Sequence, residues 1–181
     1  YLAYDFEWKE VYIPNKEVRN EFLNAVNVIG WNEIIVAVKN SERLLKSLWD
    51  KDEKAVAAGI EKVHQENISI LKYNDENSLS CTVSLAFYAA QEYYMIFREM
   101  PAGKGYADLF CLPRTKYQDI PAIIIELKWN KSATGAIAQI KDKNYIAALK
   151  GYKGKVLLVG ISYQIDIKNN TCVIDDWRVY F

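Results

Sequence analysis

Three stretches decide the fold: GKGYADLFCL (Gly103–Leu112), PAIIIELKW (Pro121–Trp129) and AIAQIKDKNY (Ala136–Tyr145). The first two are short apolar runs of strand length, and the third carries apolar residues at helical spacing. Side chains alternate along a strand, so Asp108, Phe110 and Leu112 are expected on one side, and Ile124, Glu126 and Lys128 on one side of the next strand. The short connection from Pro113 to Asp119 predicts antiparallel neighbours roughly 4.8 Å apart. Asp108 and Glu126 then meet, with Lys128 about 7 Å further along the same face.

Two carboxylates about 4 Å apart repel by roughly 4 kcal/mol at an effective dielectric near 20. A divalent cation removes that cost, because hard cations take carboxylate oxygens. A lysine alongside would orient or help deprotonate water. Acid, acid and lysine around Mg²⁺ form a set suited to phosphodiester cleavage. The plainer reading of Glu126 and Lys128 is a surface ion pair on an edge strand.

Asp108 followed by Glu126-Leu127-Lys128 resembles the PD-(D/E)XK nuclease superfamily. The wider wording is similar to one subgroup, the C-terminal nuclease-like domain of bacterial proteins that carry an AAA-ATPase-like domain before it. That wording comprises Arg98-Glu99, Gly103 to Asp108, Pro121 to Lys128, Gln139 to Tyr145 and Leu158 to Ile161. The superfamily motif has proline where Ala107 stands. Tyr1 to Val18 resembles the end of the ATPase-like part.

The resemblance implies a restriction-endonuclease-like α-β-β-β-α-β core within an α/β (α+β) mixed sheet, plus an N-terminal helical extension. Residues 1–69 would be a helical connector and 70–181 the nuclease-like domain. It implies Mg²⁺ or Mn²⁺ on Asp108, Glu126, the Leu127 carbonyl and Glu76. Lys128 and Gln139 would complete the catalytic set. The implied partners are nucleic acid, DNA first, and the upstream ATPase-like domain. Homo-oligomerisation stays open. Relatives often carry a tyrosine four residues after the glutamine. Here Lys143 holds that place, and Tyr145, six residues on, is expected to pack in the core instead. Two alternatives of other classes are a non-cutting module that grips nucleic acid or a protein, and a purely structural assembly domain.

Composition bounds these readings. The chain has 181 residues, 51% of them hydrophobic, enough for one packed domain with an extension. Lys plus Arg and Asp plus Glu both number 23, so no global basic excess marks a nucleic-acid binder. Lysines gather locally, at Lys128, Lys131, Lys141, Lys143, Lys150, Lys153 and Lys155, against Asp142 alone. No apolar run approaches the ~20 residues of a membrane span. The chain begins at Tyr1 and is read as a piece of a longer cytoplasmic protein. Cys81, Cys111 and Cys172 lack metal-ligand spacing, and Cys81 and Cys111 are expected to be buried free thiols. His64, the one histidine, is expected on a helix surface. Its solitude argues against histidine-based metal or triad chemistry.

Other expectations are local. Residues 1–13 suggest a hairpin, Asn15 caps a helix to Ile29, and helices follow over 33–49 and 52–65. Trp31, Trp49 and Trp177 are read as packing residues. Asn74-Asp75 opens a helix to about Gln91, with Glu76, Ser80, Ser84 and Gln91 as a polar stripe. A strand follows over 93–100, and Glu99 either assists the metal or pairs with a lysine, the pairing being the expectation. No P-loop spacing occurs. Ser132 caps a helix to Lys150, Lys155–Tyr163 returns as a parallel strand after a right-handed crossover, and Asn169-Asn170 turns into a last strand.

Overall fold

The computed structural model describes residues 3–7, 10–12, 15–17, 20–21, 32–67, 75–149 and 151–178. The chain forms two compact units, Tyr1–Lys39 and Asn40–Phe181. In the first, β1 (Ala3–Asp5) and β2 (Glu10–Tyr12) pair antiparallel, the hairpin expected there. The expected helix from Asn15 to Ile29 and Trp31 lie largely outside the described residues.

The second unit takes in α1 (Asn32–Trp49) from Asn40 onward, then α2 (Glu53–Asn67), α3 (Glu76–Ala86) and the short α4 (Ala90–Tyr93). Then come β3 (Tyr94–Ala102), β4 (Gly105–Pro113), β5 (Ala122–Trp129), α5 (Ala133–Asp142), β6 (Lys155–Gln164) and β7 (Asn169–Arg178). The sheet order is β3-β4-β5-β6-β7. Every neighbour is antiparallel except the parallel pair β5 and β6, joined through α5. The series α3-β3-β4-β5-α5-β6 is the α-β-β-β-α-β order read from the sequence.

Local chemistry sets the helix starts. The Asp75 carboxylate accepts the Ser78 N–H at 2.9 Å, and the Ser132 hydroxyl accepts the Gly135 N–H at 3.0 Å. β5 is central and covered on both faces, which is why Ala122 to Leu127 reads as a nearly unbroken apolar run. Ile123, Ile125 and Leu127 join Val159 and Ile161 in a core shared with Leu79 and Val83 of α3. Ala122 and Ile124 join Leu158, Ile137 and Ile140 on the α5 side. Leu44, Leu45 and Leu48 of α1 and Val56 and Ile60 of α2 belong to the first core. The family-like wording begins near residue 70, whereas the contacts gather everything from Asn40 into one unit.

Gly160 of β6 lets α5 sit close to the sheet. A methyl group there would meet the Ala133 carbonyl oxygen and, at 3.0 Å, the Ala136 methyl. Gly160→Ala is therefore expected to cost about 1–3 kcal/mol in urea unfolding, the usual penalty for overpacking.

Several local expectations need correction. The last hairpin turns at residues 165–168, not at Asn169-Asn170, which open β7 opposite Gln164 and Tyr163. Lys168 supplies the left-handed residue there, at φ 47°. The helix from Ser132 stops at Asp142, and Tyr145–Leu149 forms a separate 3₁₀ turn after Asn144 at φ 52°. The helix after Asp75 stops at Ala86, with a turn before α4. Trp177 is exposed on an edge strand. Trp49 does pack, and its indole N–H donates to the Tyr94 hydroxyl at 2.7 Å. Cys81 is exposed on α3, while Cys111 and Cys172 are buried. His64 is buried, its ring edge-on to Tyr163 at 5.0 Å between centroids. Burial holds its imidazole below the usual histidine range, against the pull of Glu61.

Candidate active site

The site lies where the sheet forks. The β4–β5 ladder comprises Cys111 with Ile123, Phe110 with Ile124, and Leu109 with Ile125. Beyond it β4 continues on β3 alone and β5 on β6 alone, with Glu126 opposite Gly160 and Lys128 opposite Ser162. Asp108 and Glu126 are the first residues past the ladder. The Asp108 carboxylate bridges the opening, accepting the Leu127 N–H at 2.7 Å.

A break in strand alternation aims Asp108. Arg98 pairs with Leu109, and Met100 pairs with Ala107, but Glu99 and Asp108 between them are not a ladder pair. Leu109 packs in the α3-side core and Ala107 in the α5-side core, so the strands turn over between these pairs. Glu99 has φ 48°, the left-handed region that side chains rarely adopt. The expectation that Asp108, Phe110 and Leu112 share a side therefore fails. Phe110 buries against the α5 side. Asp108 lines a cleft of about 250 Å³ with Glu76, Ser80, Arg98, Glu99 and Leu127.

Glu126 is not a surface residue on an edge strand. It is 2% exposed, and Lys128 is 8% exposed. One carboxylate oxygen, Oε1, accepts from Lys128 Nζ at 2.7 Å and from the Gln139 side-chain amide. The other, Oε2, is buried and has no hydrogen-bond partner among the described residues. Gln139 also donates to the Tyr145 hydroxyl at 3.0 Å. Tyr145 is thus both packed and in contact with the site. The six-residue spacing argument assumed an unbroken helix, and Asn144 in the left-handed region turns the chain back under Gln139. Asparagine just past a helical pattern was the signal that could have revealed it.

Glu76, the first residue of α3, is exposed and lies on the cleft with Asp108. Among the described residues Glu99 does not pair with a lysine. Arg98 was not singled out for chemistry. Its guanidinium donates to the Ser84 hydroxyl at 2.5 Å and reaches the Ser80 carbonyl at 3.3 Å, so it satisfies the polar stripe of α3. Lys141 pairs with Asp175 at 2.5 Å. Lys131, Lys143, Lys153 and Lys155 are exposed.

Burial pushes the Asp108 carboxyl above the usual carboxylate range, and Glu76 and Glu99 add to this. The Leu127 N–H and Lys128 oppose it. Burial likewise pushes Glu126 up to about 7, opposed by its hydrogen bond to Lys128 and reinforced by the charges of Asp108 and Glu76. A carboxyl raised on folding favours the fold below its unfolded value and loses that contribution as pH rises through its folded value. Without divalent cations, the melting temperature is therefore expected to fall between about pH 4.5 and 7.5. Glu126→Gln should flatten that decline in a melting series in chelator.

The site suits a hard cation. Two partly desolvated carboxylates flank one opening, and a buried carboxylate oxygen lacks a partner. Among the described residues no three acidic, histidine or cysteine side chains converge to enclose a metal. A cation there would be held by one or two carboxylates and completed by water and phosphate.

A family model described as the PD-(D/E)XK nuclease superfamily matches residues 74–177. The match runs from just before α3 into β7 and contains every acid, lysine and glutamine named for the site. No curated protein matches the chain.

Proposed function

The chain belongs to the PD-(D/E)XK nuclease superfamily, and from that premise we propose that it hydrolyses phosphodiester bonds in DNA with Mg²⁺ or Mn²⁺. The observation that carries this reading is the buried Oε2 of Glu126, without a hydrogen-bond partner among the described residues, on the first residue of β5 past the ladder with β4. A buried carboxylate in that state is costly unless a cation completes it.

Asp108, Glu126 and the Leu127 carbonyl would hold the ion directly, with Glu76 reaching it through water. When bound, it supplies Lewis-acid polarisation of a phosphoryl oxygen and lowers the pKa of water. Lys128 positions the attacking water and offsets the negative charge that develops on the phosphate. Gln139, held by the Tyr145 hydroxyl, fixes the orientation of Glu126. The exposed Lys131, Lys143, Lys153 and Lys155 attract a phosphate backbone, an interaction that weakens with salt.

The protein context is proposed on resemblance alone: a cytoplasmic bacterial protein with an AAA-ATPase-like domain ahead of a nuclease-like domain that begins near residue 70. Among the described residues, no helix is long and apolar enough to cross a membrane.

The test is a panel of single- and double-stranded DNA and RNA of one sequence, incubated with the protein in Mg²⁺, Mn²⁺ or chelator. DNA shortened only with cation supports the proposal. Equal cutting of RNA would widen the substrate class. Retention of nucleic acid without cutting, at saturating cation, would favour a binding module.

A further inference from the structure

We propose that Glu99 is a positioning residue for the divalent cation, acting on it across a layer of water from the strand opposite Asp108. The inference rests on the metal-dependent reading above and adds a residue to it.

The argument starts from geometry. Glu99 lies across from Asp108 at the one place where the β3–β4 ladder lacks a pair. It lines the same cleft as Glu76, Asp108 and Leu127. It is exposed, and none of the lysines or arginines forms an ion pair with it among the described residues. Its neighbour Arg98, the nearest cation in sequence, is committed to Ser80 and Ser84 on α3. A third carboxylate thus faces a cleft already edged by two, with no cation of the protein's own to balance it.

The backbone makes the placement specific. Glutamate at φ 48° is held in a conformation that glycine adopts freely. Strain of this kind persists where the surroundings over-determine it, often at functional sites. The independent sign that a cation belongs here is the buried oxygen of Glu126 that lacks a partner among the described residues, on the strand beside Asp108 just past the ladder. No three acids converge to enclose an ion directly, so Glu99 is assigned to the water layer. Mg²⁺ keeps several waters, and outer-layer partners commonly tune metal affinity about 10–100-fold.

The experiment is calorimetric titration of Mn²⁺ into the wild-type chain, Glu99→Gln, Glu99→Gly and Asp108→Asn, with melting curves in chelator for each. The expected result is Mn²⁺ binding in the wild type, at least tenfold weaker binding in both Glu99 variants, and loss in Asp108→Asn. Glu99→Gly should at the same time melt about 2 °C higher or more without metal, since strain is relieved. That opposition of affinity and stability is something a merely structural glutamate would not produce. Wild-type binding with unchanged affinity in Glu99→Gln would overturn the inference while leaving the nuclease reading intact. No Mn²⁺ binding in the wild type would overturn both.

Discussion

Asp108→Asn is expected to reduce cation-dependent cleavage about 10³-fold or more, the scale of several kcal/mol of charge stabilisation in the transition state. The reason is specific to this site. Asn retains an oxygen that can accept the Leu127 N–H, so the bridge across the fork survives. It removes a negative charge whose carboxyl is already raised by burial and by Glu76 and Glu99. Urea unfolding in chelator near pH 7.5 should therefore show equal or greater stability in the variant. Initial cleavage rates measured alongside unfolding curves check both halves. A variant that lost activity by unfolding would refute this assignment.

Lys128→Met should harm both stability and activity, and the two effects separate with pH. Lys128 is the one cation hydrogen-bonded to the buried Glu126 carboxylate among the described residues. Removing one partner of a buried pair typically costs about 3–5 kcal/mol. Glu126, already raised to about 7, would rise further and take up a proton. The loss should thus be largest near pH 8 and smaller near pH 6, because a raised carboxyl favours the fold only while protonated. The double variant Lys128→Met/Glu126→Gln should recover most of the stability but none of the activity, since the water-positioning charge stays absent. Cleavage is expected to drop roughly 10²–10³-fold, as on losing one donor to developing charge. Urea unfolding at both pH values and initial rates for the three variants provide the check.

These effects reflect how the sequence encodes the site. The central strand was legible because burial on both faces leaves a continuous apolar run, against which Glu126 and Lys128 stand out. The caps Asp75 and Ser132 were legible because each satisfies helix N–H groups locally. The parallel pairing of β5 and β6 followed from the crossover through α5.

What failed to read depended on contacts distant in sequence. Glu99 and Lys168 take left-handed backbone without glycine or asparagine to announce it, so the β3–β4 turnover looked like ordinary strand and the last turn was placed at Asn169-Asn170. His64 adjoined a recognisable apolar stripe, but α2 packs against the end of the sheet, where Tyr163 covers the ring. Tyr145 packs in the core as expected, but its contact with Gln139 was missed because the helix was extended through Asn144. In each case the local pattern was weak and the tertiary contact decided.

The most direct measurement is cleavage of supercoiled plasmid by the wild-type chain in Mg²⁺ and in chelator, with cation occupancy verified in the same buffer. The account predicts nicked and linear product with Mg²⁺ and intact plasmid in chelator. Product that forms equally in chelator, or a cation-loaded protein that leaves the plasmid intact, would contradict it.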